Sequence, residues 1–277
     1  RKQILLGSVL LVAVSCSQPR ESKPAPPSNE IVVGQIDSMT GAQESFGVFS
    51  RSGIALAISK INETGGIGGK KLRLISIDDQ GKPEQSEKAP TKLTSDASVV
   101  AILGASASTR SLAIAPIAQK HEIPMITPSS TNPKVTRAGD YIFRTCFIDD
   151  FQGAVMARFV RKTLKAGKVA ILRDLGSEYS VGLAQYFKEK FSSLGGKIVA
   201  DEAYKEGDVD FKPQLKAIRP LHADLIYVPG YYTDVANIVS QARKLGIKAI
   251  FAGGDGWDSN ELYKIGESSS EASYFTN

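Results

Sequence analysis

The sequence of 277 residues contains only two cysteines and two histidines, and this scarcity excludes several kinds of site. His121 and His222 lie far apart in the chain, and neither has a cysteine or a second histidine nearby. The usual ligand clusters of zinc and related metals are therefore excluded, and no metal or cofactor is expected. Cys16 and Cys146 occupy very different contexts, so we expect no disulfide between them and interpret Cys146 as a buried free thiol.

Basic residues outnumber acidic ones, but they form no concentrated basic block. The formal net charge is +5, and no segment combines aromatic and basic residues as a nucleic-acid-binding surface does. We therefore expect no nucleic-acid partner and interpret the extra lysines as solvated surface. With 42% hydrophobic and 23% charged residues, the composition is that of a globular chain, long enough for two modest α/β domains or one large one.

The first sixteen residues have the pattern of an export signal. A basic start precedes an apolar run over 4–14, which is shorter than an ordinary transmembrane helix. The run ends in residues 13–16, which resemble the bacterial lipobox, although that motif usually has leucine where Ala13 stands. We predict a lipoprotein signal peptide over 1–16 with Cys16 lipidated; a plain secretory signal is the alternative. Both place the mature chain outside the cytoplasm, and the lipid would anchor it to a membrane.

After this signal, a polar linker leads into a regular alternation of strands and helices. Residues 17–30 are polar and rich in proline, so they are predicted to form a flexible linker. From residue 31, short apolar runs alternate with longer segments whose apolar residues recur at helical spacing. This alternation predicts an α/β fold with two doubly wound parallel sheets. Strands are predicted at 31–36, 72–77, 99–103, 125–127, 168–173, 197–200, 225–228 and 249–252, and helices at 45–64, 84–96, 109–122, 151–166, 181–194, 211–221 and 234–245.

Several loop motifs occur in an order that identifies a family. They include Asn-Glu-Thr-Gly-Gly-Ile-Gly-Gly-Lys at 62–70 and Thr-Pro-Ser-Ser-Thr-Asn-Pro at 127–133, and the further motifs lie at 78–79, 143–145, 195–197, 207–211 and 253–257. Each motif alone is weak, but their common order and spacing resemble the extracytoplasmic branched-chain amino-acid-binding proteins of ABC importers, the leucine/isoleucine/valine type.

The resemblance implies the type I periplasmic-binding-protein fold, in which a hinge joins two lobes. The first lobe is expected over 31–147 and the second over 148–273, with 274–277 starting a return to the first lobe. Because the family usually continues beyond this point, the chain is expected to be truncated at its C-terminus.

A candidate anion site lies in two small-residue loops. The loop at 104–109 joins a strand to a helix, where a helix N-terminus favours an anion and Ser106 can add a hydroxyl donor. Ser129, Ser130 and Thr131 follow the next strand and can converge on the same place, because ligands bind at the carboxyl ends of parallel strands. From residue types alone, turn and cap roles explain them equally well. The resemblance implies that they hold the carboxylate of an amino acid.

The second half of the expected site is acidic and aromatic. Asp255 follows a strand in a glycine-rich turn and resembles the family's partner for the ligand ammonium; an exposed turn aspartate is the alternative. Phe46, Tyr179 and Tyr231 match positions at which the family places aromatic rings, which would close over the ligand. Tyr232 has no such precedent, and ordinary packing explains it equally well.

These observations predict a solute-binding lipoprotein that captures an amino acid or a related small polar solute by hinge closure. The expected partners are the small solute, the ABC permease that reads the closed form, and the membrane that holds the lipid. A ligand-sensing module of a signalling receptor is the alternative, because one fold serves both uses. Ser129 and Ser130 suggest a polar pocket, which would disfavour leucine or valine as the ligand. No enzyme is expected, since the segment 104–108 lacks the closing glycine of a nucleophile elbow.

Overall fold

The computed structural model describes residues 29–266, 269 and 273–277, and within them two five-stranded parallel sheets. The predicted signal peptide with Cys16, and nearly all of the predicted linker, lie outside the described residues. Among the described residues, no helix is long and apolar enough to cross a membrane. The same part of the chain contains no group of three or more His, Cys, Asp or Glu side chains arranged to hold a metal ion.

The first lobe is built on the sheet β2-β1-β3-β4-β5, in which all paired strands are parallel. Its core lies between this sheet and two helices, where Ile36, Leu93, Ile102 and Ile114 are fully buried. The strands are β1 (Glu30–Asp37), β2 (Lys71–Asp78), β3 (Val99–Gly104), β4 (Met125–Thr127) and β5 (Ile142–Arg144), and the helices are α1 (Glu44–Glu63), α2 (Pro83–Thr94) and α3 (Ser108–Lys120).

The second lobe repeats this plan with the sheet β10-β9-β8-β6-β7, again entirely parallel. Its core is rich in aromatic side chains, with Phe187 stacked on Tyr227 at a centroid distance of 3.9 Å. The strands are β6 (Lys168–Asp174), β7 (Lys197–Tyr204), β8 (Leu225–Tyr227), β9 (Ile250–Gly253) and β10 (Ser273–Phe275), and the helices are α4 (Asp149–Arg158), α5 (Glu178–Ser193), α6 (Lys212–Ile218), α7 (Tyr232–Lys244) and α8 (Asn260–Gly266).

The predicted two-lobed α/β architecture is therefore confirmed, with one correction at the end of the chain. Tyr274 and Phe275 were expected to begin a return to the first lobe, but they pair with Ala252 and Gly253 as the last strand of the second sheet. Ring contacts hold them there: Tyr274 meets Phe159 at a centroid distance of 5.2 Å, and Phe275 lies near Trp257.

The chain passes from the first lobe to the second between β5 and α4, and this connection contains Cys146. Cys146 is a free, half-buried thiol, and burial raises its pKa to about 11. A thiol with so high a pKa carries almost no thiolate at neutral pH, which makes it a poor nucleophile.

Candidate functional site

The carboxyl ends of the two sheets face one another across a small, partly open cavity. The space between its walls is narrow, about 250 Å³ with the open solvent at its mouth included. Its wall is formed by both lobes, through the loops that follow the strands of each sheet. Six of the eight residues predicted for the site line it together with Gly256: Phe46, Ser106 and Ser129 from the first lobe, and Tyr179, Tyr231 and Asp255 from the second.

On the first-lobe side, Ser106 is already engaged by a buried carboxylate. Its backbone N–H donates to Asp37 Oδ1 at 3.0 Å, and its hydroxyl donates to Asp37 Oδ2 at 2.7 Å. Asp37 is almost fully buried, and burial raises its pKa despite these donors. In this arrangement the hydroxyl proton of Ser106 is donated to the buried Asp37, and contact of Ser106 with a ligand stays a prediction.

The three residues after β4 divide between the cavity and the protein interior. Ser129 lines the cavity, and its hydroxyl donates to the carbonyl of Ser106 at 3.0 Å. Ser130 is fully buried, and its hydroxyl bonds to the carbonyl of Ala105 at 2.9 Å. Thr131 is likewise buried and does not line the cavity. The structure thus brings Ser129 to the cavity and places Ser130 and Thr131 behind its wall.

On the second-lobe side, Asp255 is the charged group of the cavity. It follows β9, and its Oδ1 accepts a hydrogen bond of 2.9 Å from the hydroxyl of Tyr179. The backbone N–H of Asp255 donates to Gln152 Oε1 at 2.8 Å, which fixes the turn. Burial raises the pKa of Asp255 to about 6, and the two side-chain hydrogen bonds only partly oppose this effect. A half-buried carboxylate of this kind is suited to receive a cation.

A second carboxyl group behind Asp255 was missed from the sequence. Asp149, in the first turn of α4, is fully buried and accepts a hydrogen bond of 3.2 Å from Gln152 Nε2. Burial raises its pKa to about 7, and the charge of Asp255 contributes to the rise. Gln152 therefore links the carboxyl group of Asp149 to the backbone of Asp255. The sequence contains only a weak signal for this residue, because an acidic residue at the start of a helix is usually exposed and interacts with the helix dipole.

Aromatic rings close the remaining side of the cavity. Tyr179 and Tyr231 pack at a centroid distance of 5.1 Å, and Phe46 meets Tyr231 edge-on at 6.1 Å. Because Phe46 belongs to the first lobe, this contact crosses the cleft. Tyr232 stays outside the cavity lining; it packs on Phe46 at 5.6 Å, and its hydroxyl accepts a hydrogen bond from the N–H of Ser45. Tyr232 thus has a packing role between the lobes.

The fold and the cavity together define a class of protein. A cavity between two α/β lobes, with one carboxylate, hydroxyl groups and aromatic rings, is the arrangement of a binding protein for a small polar solute. Around the cavity, the described residues show no serine or cysteine hydrogen-bonded to a histidine, the pairing that activates a nucleophile.

Comparison with known proteins identifies the family. The family model "Periplasmic binding protein" matches residues 30–277. A Leu/Ile/Val-binding protein from Rhizobium johnstonii is 32% identical over 249 residues, which are 90% of this chain and 67% of that protein. An amino acid binding protein from Pseudomonas aeruginosa is 34% identical over 84% of this chain and 62% of its own length.

Solved structures agree with these sequence relatives. A leucine binding protein from Thermotoga maritima is 39% identical with a TM-score of 0.82, covering 86% of this chain and 67% of that one. A branched-chain amino acid transporter substrate binding protein from Streptococcus pneumoniae was solved with isoleucine. It is 33% identical with a TM-score of 0.83, and the match covers 89% of this chain and 70% of that one. The chain therefore spans about two thirds of the length of these relatives.

The chain belongs to the periplasmic binding protein family, among the substrate-binding proteins of branched-chain amino acid ABC transporters. These relatives are extracytoplasmic solute-binding proteins rather than enzymes, which confirms both the family resemblance and the prediction that the chain is not an enzyme.

Proposed function

We propose that this protein is the solute-binding lipoprotein of an ABC importer, and that it captures an α-amino acid by closing its two lobes around the ligand. The observation that carries the proposal is the cavity itself, whose wall combines residues from both lobes. A ligand that contacts both lobes stabilises the closed state through its higher affinity for that state. The importer's permease would then recognise the closed form.

The assignment of ligand groups follows from the charges of the cavity. The carboxylate of Asp255 would pair with the ligand ammonium, and the ammonium would in turn favour the ionised form of Asp255. The ligand carboxylate would lie against the first-lobe loops of Ser106 and Ser129, near the N-terminus of α3. The rings of Phe46 and Tyr231 would cover its side chain.

The lining of the cavity, rather than its volume, indicates which amino acids are suitable ligands. Ser129 and Ser130 suggested a polar pocket that would disfavour leucine or valine. Ser130 lies behind the wall, and the hydroxyl of Ser129 already donates to the carbonyl of Ser106. Aliphatic amino acids are therefore included in the proposed ligand class, as the names of the relatives suggest.

Two further elements of the proposal lie partly outside the described residues. Lipidation of Cys16 would hold the protein at the membrane, with residues 17–30 as a tether. The lobes would be the segments 31–147 and 148–273, with β10 added to the second, and would pivot at the connection between β5 and α4. Incorporation of labelled palmitate into the wild type, and its loss in Cys16→Ser, would support the anchor; equal labelling of both would refute it.

The function is tested by thermal unfolding with a panel of aliphatic amino acids, amides and aromatic acids. A ligand at about a thousand times its Kd adds roughly 4 kcal/mol to the free energy of unfolding. For a chain of this size, this is a rise in Tm of roughly 8–16 °C. We expect the rise with at least one α-amino acid and its loss in Asp255→Ala.

The matched control is Asp258→Ala, which removes an exposed aspartate three residues away. This variant should keep the full rise in Tm. A rise only with ligands that lack an ammonium would remove Asp255 from its role. The absence of any rise with every solute would overturn the amino-acid proposal.

A further inference from the structure

We propose that Arg110 and Glu206 are positioning residues whose ion pair holds the two lobes together. Arg110 lies on α3 of the first lobe, and Glu206 lies in the loop after β7 of the second lobe. Neither residue lines the candidate ligand cavity, so they would act on ligand capture only through closure of the lobes. The inference rests on the proposed function in that it assumes an equilibrium between open and closed lobes.

The geometry of the pair is that of a single carboxylate held by donors from the opposite lobe. Arg110 Nη2 lies 3.1 Å from both Oε1 and Oε2 of Glu206. The Oε1 atom also accepts a hydrogen bond of 3.1 Å from Nε2 of Gln43, a second first-lobe side chain. Arg110 further donates to the carbonyl of Gly81, so its guanidinium is also bonded within its own lobe.

Burial distinguishes this pair from the other ion pair between the lobes. The Arg110 side chain is 2% exposed and that of Glu206 is 27% exposed. The other pair, Lys134 with Glu178 at 2.8 Å, is 65% and 44% exposed. These are the two interlobe ion pairs in the part of the chain that the structure describes. Solvent screens an exposed pair almost completely, whereas a partly desolvated pair with several donors contributes more.

The surroundings of Glu206 make closure electrostatically favourable. Asp174 and Asp234 of the second lobe lie near Glu206, and its negative charge adds to the rise that burial causes in the pKa of each. The positive charge of Arg110 opposes that rise at Asp174. An open protein would therefore leave Glu206 and Asp174 without this cation, and closure would bring the cation to them. Because loss of the cation raises the free energy of the open state, the pair biases the equilibrium toward closure.

The test measures closure directly, without relying on a ligand. Spin labels on Ser59→Cys in α1 and Lys216→Cys in α6, in a background with Cys16→Ser and Cys146→Ser, report the distance between the lobes by electron–electron double resonance. Glu206→Gln keeps the shape of the side chain and removes its charge. We expect it to shift the distance distribution toward longer distances, with or without L-leucine, and to weaken L-leucine binding by about tenfold, a typical size for coupling between sites.

Two variants complete the test. Lys134→Gln breaks the exposed pair and should leave the distribution unchanged. The exchange of charges in Arg110→Glu with Glu206→Arg should restore much of the closed population that Glu206→Gln loses, which a purely structural role would not predict. The proposal is overturned if Glu206→Gln matches the wild type in both conditions, or if the exchange stays as open as Glu206→Gln.

The two proposals fail in different ways. A wild-type protein whose distances and Tm respond to no amino acid would contradict the proposed function. The ligand-free distributions of the wild type, Glu206→Gln and the exchanged variant would still decide whether the ion pair holds the lobes together.

Discussion

The hydroxyl of Tyr179 donates a 2.9 Å hydrogen bond to the carboxylate of Asp255, and both side chains line the same cavity. The same hydroxyl oxygen accepts a hydrogen bond of 3.0 Å from the N–H of Gly256, so it is fixed from both sides. Burial nevertheless raises the pKa of Asp255 to about 6. The carboxylate is therefore ionised at neutral pH at a cost in free energy, which a bound ammonium group would offset.

The affinity for an amino acid should consequently fall in acid. Below the pKa of Asp255, about 6, the carboxyl group becomes protonated and the ammonium loses its partner. We expect Kd to rise by up to about tenfold for each pH unit below that value, and to change little above about pH 7.5. Isothermal titration calorimetry across this range in buffers of different ionisation enthalpy would measure both Kd and proton uptake. Asp255→Asn should bind weakly with a much flatter pH dependence; an unchanged slope in that variant would assign the titration to another group.

Two glycines of α1 should respond to alanine in opposite directions. A Cβ atom on Gly47 would lie 2.1 Å from the carbonyl oxygen of Ser38, a backbone atom that cannot move independently. Gly47→Ala must therefore displace the start of α1, with a loss of about 1–3 kcal/mol in the free energy of unfolding. It should also weaken ligand binding, because the adjacent Phe46 lines the cavity. Urea unfolding and calorimetry would measure the two effects.

Gly53 on the same helix is the control for this substitution. A Cβ atom there would meet no heavy atom within 4 Å. Alanine in an exposed helix interior is favoured over glycine by about 0.5–1 kcal/mol, so Gly53→Ala should stabilise the protein and leave binding unchanged. Equal effects of the two substitutions would show that helix propensity alone governs both sites.

The aromatic core of the second lobe gives a larger effect. Phe187 is fully buried and stacks on Tyr227 at 3.9 Å and on Phe191 at 5.5 Å. Phe187→Ala should lower the free energy of unfolding by about 3–5 kcal/mol, because it removes a buried ring and leaves a cavity. Phe49→Ala removes a ring that is 63% exposed and should change it by less than about 0.5 kcal/mol. Chemical denaturation of both variants would measure the two changes in the free energy of unfolding and show whether the buried ring contributes more than the exposed one.

The position of the candidate cavity could be predicted from the sequence because the ends of the strands can be recognised in it. Ser106, Ser129 and Asp255 each stand two residues after a strand, and the carboxyl ends of parallel strands meet at one edge. The alternation of apolar and amphipathic segments gave these strands directly. The topology of a doubly wound sheet predicts that Ser106 and Ser129 lie close together, and the family resemblance supplied the second lobe that brings Asp255 to them.

The direction of each side chain could not be predicted in the same way. Ser129 lines the cavity, whereas its neighbours Ser130 and Thr131 are buried behind the wall, and the three similar residue types do not reveal this difference. The engagement of Ser106 by Asp37 depends on a strand 69 residues earlier in the chain. Gln152 meets Asp255 across 103 residues, a separation that no local pattern encodes.

The end of one strand and the start of one helix were predicted at the wrong residues. β7 was predicted to end at residue 200 but continues to Tyr204, through Asp201 and Glu202. As the edge strand of the second sheet, β7 tolerates charged side chains that would not fit a central strand. α5 begins at Glu178 rather than at 181, because the hydroxyl of Ser177 accepts the N–H of Ser180 and caps the helix earlier.

The buried carboxyl group of Asp149 should make the stability of the protein depend on pH. Burial raises its pKa from the ordinary value of 3.8 to about 7, so the folded state favours the protonated form. As pH rises from about 4 to about 7, ionisation costs the folded state more than the unfolded state, and the free energy of unfolding falls. Asp149→Asn removes this cost while its amide oxygen can still accept the hydrogen bond from Gln152.

The variant should therefore be more stable than the wild type above about pH 7, by up to about 4 kcal/mol, and the difference should vanish near about pH 4. Urea unfolding of both proteins at the two pH values measures it. Asp150→Asn is the matched control, since Asp150 is the exposed neighbour of Asp149, and it should change the free energy of unfolding by less than about 0.5 kcal/mol at either pH. A constant difference between Asp149→Asn and the wild type at both pH values would mean that Asp149 stays ionised in the folded protein, and that burial does not control its charge.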